Sequence, residues 1–152
     1  MTNFLLNRGG AGKSITRHET AEAMGDLVRP LTSIVRTYEL LEGHTGDSGA
    51  DEKITASQNR TRSDIAKLSE IILSTGGVTP RQAEPFSSSD ETDTLIRALN
   101  EAERAFRDSL ESSLKMKHHY RTIAVLETLH KNTEERIRLV RELAHLHNVP
   151  VG

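Results

Sequence analysis

The chain has 152 residues and a formal charge of −2, with 35% hydrophobic, 28% charged and 3% aromatic residues and neither Cys nor Trp. This length suits one domain with an unstapled core, and the missing Cys excludes disulfides, thiolate metal sites and cysteine nucleophiles. Balanced charge and scarce aromatics exclude a basic field or a stacking platform for nucleic acid, and no run nears the ~20 apolar residues of a membrane span. The opening Met1-Thr-Asn-Phe-Leu-Leu6 is too short for a signal-peptide core, so a cytoplasmic protein is the expectation.

In chain order, residues 1–17 read as a flexible tail, because Gly9, Gly10 and Gly12 oppose helix formation. Within it, Phe4-Leu5-Leu6 is a candidate docking peptide. A four-helix bundle is expected over residues 18–148, with helices at about 18–43, 51–75, 91–118 and 121–147. The first carries Ala21, Met24, Val28, Leu31, Val35, Tyr38 and Leu41 at helical spacing, with a kink expected at Pro30. The second places Ile54, Gln58, Thr61, Ile65, Leu68 and Ile72 on one stripe and stops at Gly76-Gly77 and Pro80. A long polar connection through Pro85 and Ser87-Ser88-Ser89 follows and is expected to cross the bundle. The third helix presents Leu95, Leu99, Ala102, Phe106 and Leu110. The fourth presents Ile123, Leu126, His130, Thr133, Ile137, Val140 and Ala144, closing at Asn148 and Pro150. At about 25 residues, each helix is roughly 38 Å long, and matched lengths favour an antiparallel, left-handed bundle. No segment alternates with period two, so the fold class is all-α.

The two halves repeat. A shift of 72 carries Ile54, Gln58, Thr61, Ile65 and Leu68 onto Leu126, His130, Thr133, Ile137 and Val140, and a shift of 71 relates helices one and three. Gln58/Thr61 and His130/Thr133 are therefore expected at one height in the core.

The fourth helix carries two Glu-x-x-His spacings, Glu127-Thr-Leu-His130 and Glu142-Leu-Ala-His145. In a four-helix protein, that spacing is half of a carboxylate-bridged di-metal site, which also needs a second Glu-x-x-His and two lone Glu residues. His130 falls on the core stripe and His145 does not, so the two cannot serve one centre. Helix two offers no Glu-x-x-His, and at this height helices one and three present Val35, Arg36, Tyr38, Phe106 and Ser109. The expectation is a polar core layer in which His130, Thr133, Gln58, Thr61 and the Tyr38 hydroxyl satisfy one another. The alternative is an iron or manganese site using Glu127, His130 and Glu134. His118-His119 and His145/His147 are expected at helix ends, as solvated side chains or complements to the dipole. Gly9-Gly-Ala-Gly-Lys-Ser14 fails as a phosphate loop, since Asn7 stands where the pattern needs Gly and no strand precedes it.

Two resemblances add to this reading. Gly25-Asp-Leu-Val-Arg-Pro-Leu-Thr-Ser-Ile34, followed by Tyr38-Glu-Leu-Leu41, resembles the phosphoacceptor helix of histidine-kinase dimerisation domains, with Gly25 at the His position and His18 two turns away. It implies a degenerate phosphosignalling partner that pairs through helices one and two. A broader resemblance rests on Asp26-Leu-Val, Leu31 and Tyr38-Glu39, on Ile65-Ala-Lys-Leu-Ser-Glu-Ile-Ile-Leu-Ser-Thr-Gly-Gly77, on Glu101-Ala-Glu-Arg104 and on Thr133-Glu-Glu-Arg-Ile-Arg138. By these segments the chain is similar to a ferritin-like family of uncharacterised bacterial proteins. The resemblance implies a ferritin-like bundle, but Arg36, Phe106 and Glu134 stand where related chains would carry inward metal ligands. The combined expectation is a non-enzymatic structural or interaction protein, a homo-oligomer or one with a protein partner, without catalytic residues, cofactor, nucleic acid or membrane. The rival is a carboxylate/histidine metal protein, and the phosphosignalling partner is the third reading.

Overall fold

The computed structural model describes residues 15–80 and 83–152, and within them are four α-helices and no strand: α1 (Arg17–Leu41), α2 (Ser48–Ser74), α3 (Thr92–Leu114) and α4 (Tyr120–Leu146). Phe4-Leu5-Leu6 and the Gly9–Ser14 run lie outside the described residues. α1 and α4 each pack against both α2 and α3, which puts α1 diagonal to α4 and α2 diagonal to α3. Along α2 and α4, Lys53 meets Glu142, Arg60 meets Glu135 and Asp64 meets Asn132. The start of α1 reaches the α3–α4 turn, where the Ile15 N–H donates to the Lys117 carbonyl.

Local signals set the helix limits. Thr16 opens α1 with a reciprocal cap: its hydroxyl accepts from the Glu19 N–H, and the Glu19 carboxylate accepts from the Thr16 N–H. Asp47 caps α2 by accepting from the Ala50 N–H, so the helix begins at Ser48, three residues before the expected 51. α1 runs unbroken through Pro30. α3 ends at Leu114, four residues short of the expected 118. The Ser112 and Ser113 carbonyls accept from Lys115 and Met116, and the chain folds back so that His118 Nε2 lies 3.1 Å from Ser113 Oγ.

The connection from α2 to α3 runs along α1 for nearly its whole length. Gly77 stands against Ala21, Pro80 covers Gly25, the Phe86 N–H donates to the Thr37 hydroxyl at 2.9 Å, and Thr92 reaches the His44 carbonyl. It leaves α2 through a Schellman turn, in which the Gly77 N–H bonds the Ile72 carbonyl and the Gly76 N–H that of Leu73, with Gly76 at φ +84°. A Cβ on Gly77 would stand 2.7 Å from the Ala21 Cβ and 3.0 Å from Ile72 Cγ2. The double glycine thus serves two needs: Gly76 supplies the left-handed turn and Gly77 the close approach to α1.

The core follows the expected stripes, with Met24, Leu31, Ile34, Leu41, Ile54, Leu68, Leu99, Leu110 and Leu126 fully buried. Gly77→Ala should therefore lower unfolding stability by about 1–3 kcal/mol through overpacking. Urea denaturation followed by circular dichroism measures this, and an unchanged midpoint would show that the α1–α2 junction yields freely.

Candidate functional site

The bundle centre holds a charged layer built from all four helices. On α3, Glu103 lies four residues after Leu99 and three before Phe106, which is a core position by helical spacing, and its side chain is 0% exposed. On α4, Arg136 lies three residues after Thr133 and four before Val140, and is 3% exposed. Arg136 Nε donates to Glu103 Oε2 at 2.7 Å, and the same oxygen accepts from the Tyr38 hydroxyl of α1 at 2.9 Å. The Arg136 Nη atoms reach Thr61 Oγ1 of α2 at 3.4 Å and Thr133 Oγ1 at 3.1 Å. The Arg136 Cζ stands 5.9 Å from the centroid of the Phe106 ring, which adds a cation–π contact.

A second buried pair lies beside this layer. Asp64 of α2 accepts from the Asn132 Nδ2 of α4 on both carboxylate oxygens, at 3.1 and 3.0 Å. Burial pushes the Asp64 pKa up, against the opposing influence of Asn132, Arg136, Lys67 and Arg60. Burial also raises Tyr38 well above the usual phenol range, and the neighbouring Glu103 charge pushes it the same way. For Arg136, burial opposes the charged form, but the Glu103 charge and hydrogen bond, with Tyr38 and Asp64, outweigh it and raise the pKa. Arg136 and Tyr38 therefore keep their protons throughout the ordinary pH range. Neither can act as a neutral-pH acid or base, and their burial shuts out any substrate.

The sequence-derived residues fall in different places. Tyr38, Gln58, Thr61 and Thr133 are buried as expected. Their partners differ from the expected layer, since Gln58 Nε2 donates to the Val35 carbonyl at 3.1 Å and both threonines serve Arg136. His130 does not reach the core. It lies on the α3–α4 edge with Nε2 2.8 Å from Glu111 Oε2, because the buried stripe runs through Leu126, Leu129, Thr133 and Arg136 and leaves position 130 at its margin. Its hydrogen bond, the largest influence on Glu111, draws that carboxyl below its usual range. Glu134 pairs with Arg107 at 3.1 Å, and Glu127 is exposed, so Glu127, His130 and Glu134 form no shared site. Phe106 is buried as expected, whereas Ser109 is exposed. Gly25, the position matching a phosphoacceptor His, is buried, and its Cβ direction points at Pro80, 3.6 Å away.

Sequence reasoning missed Glu103, Arg136, Asp64 and Asn132. The signal was available: each is a charged or amide residue at a core position of an otherwise apolar or small-residue stripe.

A ferritin-like centre implies metal ions held by inward carboxylates and histidines. The residues present do not fit them. One carboxylate, Glu103, reaches the central layer, where Arg136 holds it, and among the described residues no three His, Cys, Asp or Glu side chains come together as a metal-holding group. Compared with known proteins, the chain matches no family model, no curated protein and no solved structure.

Two outcomes follow from this geometry. Arg136→Met leaves the Glu103 carboxylate buried without its cation and should cost about 3–5 kcal/mol, while adding Glu103→Leu should restore roughly half of the loss or more. A double-mutant cycle in urea reads both, and equal losses in the single and double variants would mean the pair does not act as a unit. Asp64 has a raised folded pKa, so its contribution to stability is full below the unfolded carboxylate range and is lost as pH rises through the folded value. Asp64→Asn should therefore melt at a higher temperature than the parent at pH 7, with the difference closing toward pH 3. A gap that widens on acidification would reverse the sign of the argument.

Proposed function

We propose that this chain is a ferritin-like, antiparallel four-helix bundle in which Arg136 stands in for the metal of the centre, and that it acts as a non-enzymatic structural or interaction protein. The observation that carries the reading is the Arg136–Glu103 pair, held at 2.7 Å in the middle of the bundle with ligating groups from all four helices. A guanidinium supplies the positive charge that a core carboxylate needs and cannot be lost or exchanged as an ion can. The antiparallel assignment is supported by the α2–α4 pairs, in which residue numbers rise along one helix as they fall along the other. The ferritin-like assignment is supported by the α2–α3 connection, which travels the length of α1 before α3 begins.

With the centre closed to substrate, the function lies on the surface. Exposed apolar side chains support an interaction role: Leu73 is 64% exposed, Val78 89% and Tyr120 70%, all at the end where α2 stops and α4 starts. Self-association or a protein partner is the use proposed for such a surface.

Metal analysis tests the reading against its enzymatic rival. Protein purified without chelator and incubated anaerobically with iron(II) or manganese(II) should retain far less than one equivalent after desalting, with no change in His130→Ala. Stoichiometric metal that disappears in His130→Ala would replace this proposal with the carboxylate/histidine metal protein.

A further inference from the structure

The same end of the molecule carries a second feature, independent of the central layer. A basin of about 670 Å³ opens between the start of α1, the last turns of α2 and the start of α4. Arg17, Lys67, Lys117 and Arg121 line it, all exposed, and Glu70 is the one acidic side chain among its lining residues. The chain as a whole is net negative, so this positive excess is local. Its placement runs against helix electrostatics. A helix N-terminus is the positive end of the dipole, where acidic residues stabilise and cations repel. Arg17 opens α1 beside the capping Glu19, whereas the first turn of α4 holds Arg121 and no acidic residue. The opposing pole has been muted: at the end of α2, the Ile71 and Ile72 carbonyls already accept from the Ser74 and Thr75 side chains at 2.8 Å.

The wall of the basin also contains a buried polar group with one face unused. His118 is only 9% exposed. Its Nε2 lies against Ser113, while its Nδ1 has no hydrogen-bond partner among the described residues. Burial lowers the His118 pKa, against the raising influence of Ser113, and so favours the neutral ring.

From the basin, its cluster of exposed cations and the unpartnered His118, we infer that this end of the bundle binds a small molecule carrying a phosphate group. Phosphate oxygens would pair with the Arg17 and Arg121 guanidinium groups, close to the positive end of α4. The volume suits a small metabolite. An anion seated there also favours the protonated His118 ring. The charged and titratable groups that line the basin with that ring are Arg17 from α1, Lys67 and Glu70 from α2, and Lys117, His119 and Arg121 around the start of α4.

Inorganic pyrophosphate is the probe, titrated calorimetrically into the full chain at about 0.1 M chloride. Saturable one-to-one binding with Kd of about 1 mM or tighter is expected, weakened about tenfold or more in Arg17→Gln/Arg121→Gln. Both positions are exposed, so the variant should retain the parent's helical spectrum. A second readout is the His118 ring in NMR titrations, whose pKa should rise with saturating pyrophosphate. Absence of saturable binding below 10 mM, equal affinity in the double variant, or binding confined to polynucleotides would overturn the inference. None of these outcomes bears on the metal test of the central layer.

Discussion

The arrangement of the four helices depends on one buried ion pair. Arg136 and Glu103 are almost wholly removed from water, and stripping two charges of solvent is repaid only by close geometry and further hydrogen bonds. The hydrogen bonds come from Tyr38 on α1, Thr61 on α2 and Thr133 on α4, and Phe106 on α3 adds a cation–π contact. The apolar stripes alone would tolerate a shift of one turn, since leucines at heptad spacing fill each other's places. The charged layer does not tolerate it: sliding α4 by a turn would move Arg136 about 5.4 Å and leave two charges buried and unpaired. The ion pair therefore acts as a register mark, while apolar burial supplies most of the stabilisation.

That arrangement differs from the centre of a di-metal carboxylate bundle. A dication in such a core is held by several carboxylates and must enter, bind and exchange. A guanidinium arrives with the chain, needs a single carboxylate, and directs its remaining donors to hydroxyls. Arg136 and Tyr38 hold their protons across the ordinary pH range, so neither passes a proton there. Asp64 is the part of the centre that responds to pH, because burial has raised its pKa and its partner Asn132 is neutral.

The sequence disclosed the helices, their order, the long connection and most of the core, because these follow from apolar spacing and from Gly and Pro punctuation. It also disclosed four polar core members, Tyr38, Gln58, Thr61 and Thr133, which share the stripes with leucines. It concealed the charged members for a physical reason. Arg and Glu are almost never fully buried unless paired, so Glu103 and Arg136 read as surface until the partner on the other helix is known. The internal repeat held the missing clue, since the shift of 72 that takes Thr61 to Thr133 also takes Asp64 to Arg136. His130 erred in the opposite direction. Four residues after buried Leu126, it lies at the margin of the stripe, where a titratable ring gains more from Glu111 and water than from the core. The early end of α3 was invisible because no Gly or Pro marks it. The stop comes from His118 folding back to Ser113, a contact that spacing rules do not encode.

The centre and the end basin together show how this chain distributes positive charge. In the core, Arg136 is matched by Glu103, approached by Tyr38 and flanked by Asp64, so every positive interaction is closed within the molecule. At the end of the bundle, Arg121 stands on a helix N-terminus that has no acidic residue in its first turn, near a buried imidazole with an unpartnered nitrogen. Stability alone would favour acidic residues in the first turn of α4, as Glu19 illustrates in the first turn of α1. The α4 terminus forgoes that gain and is capped instead by His119, whose Nδ1 accepts from the Arg121 N–H. A bundle whose centre has been sealed by its own arginine thus keeps its unmet chemistry at the rim, where solvent and ligands can reach it.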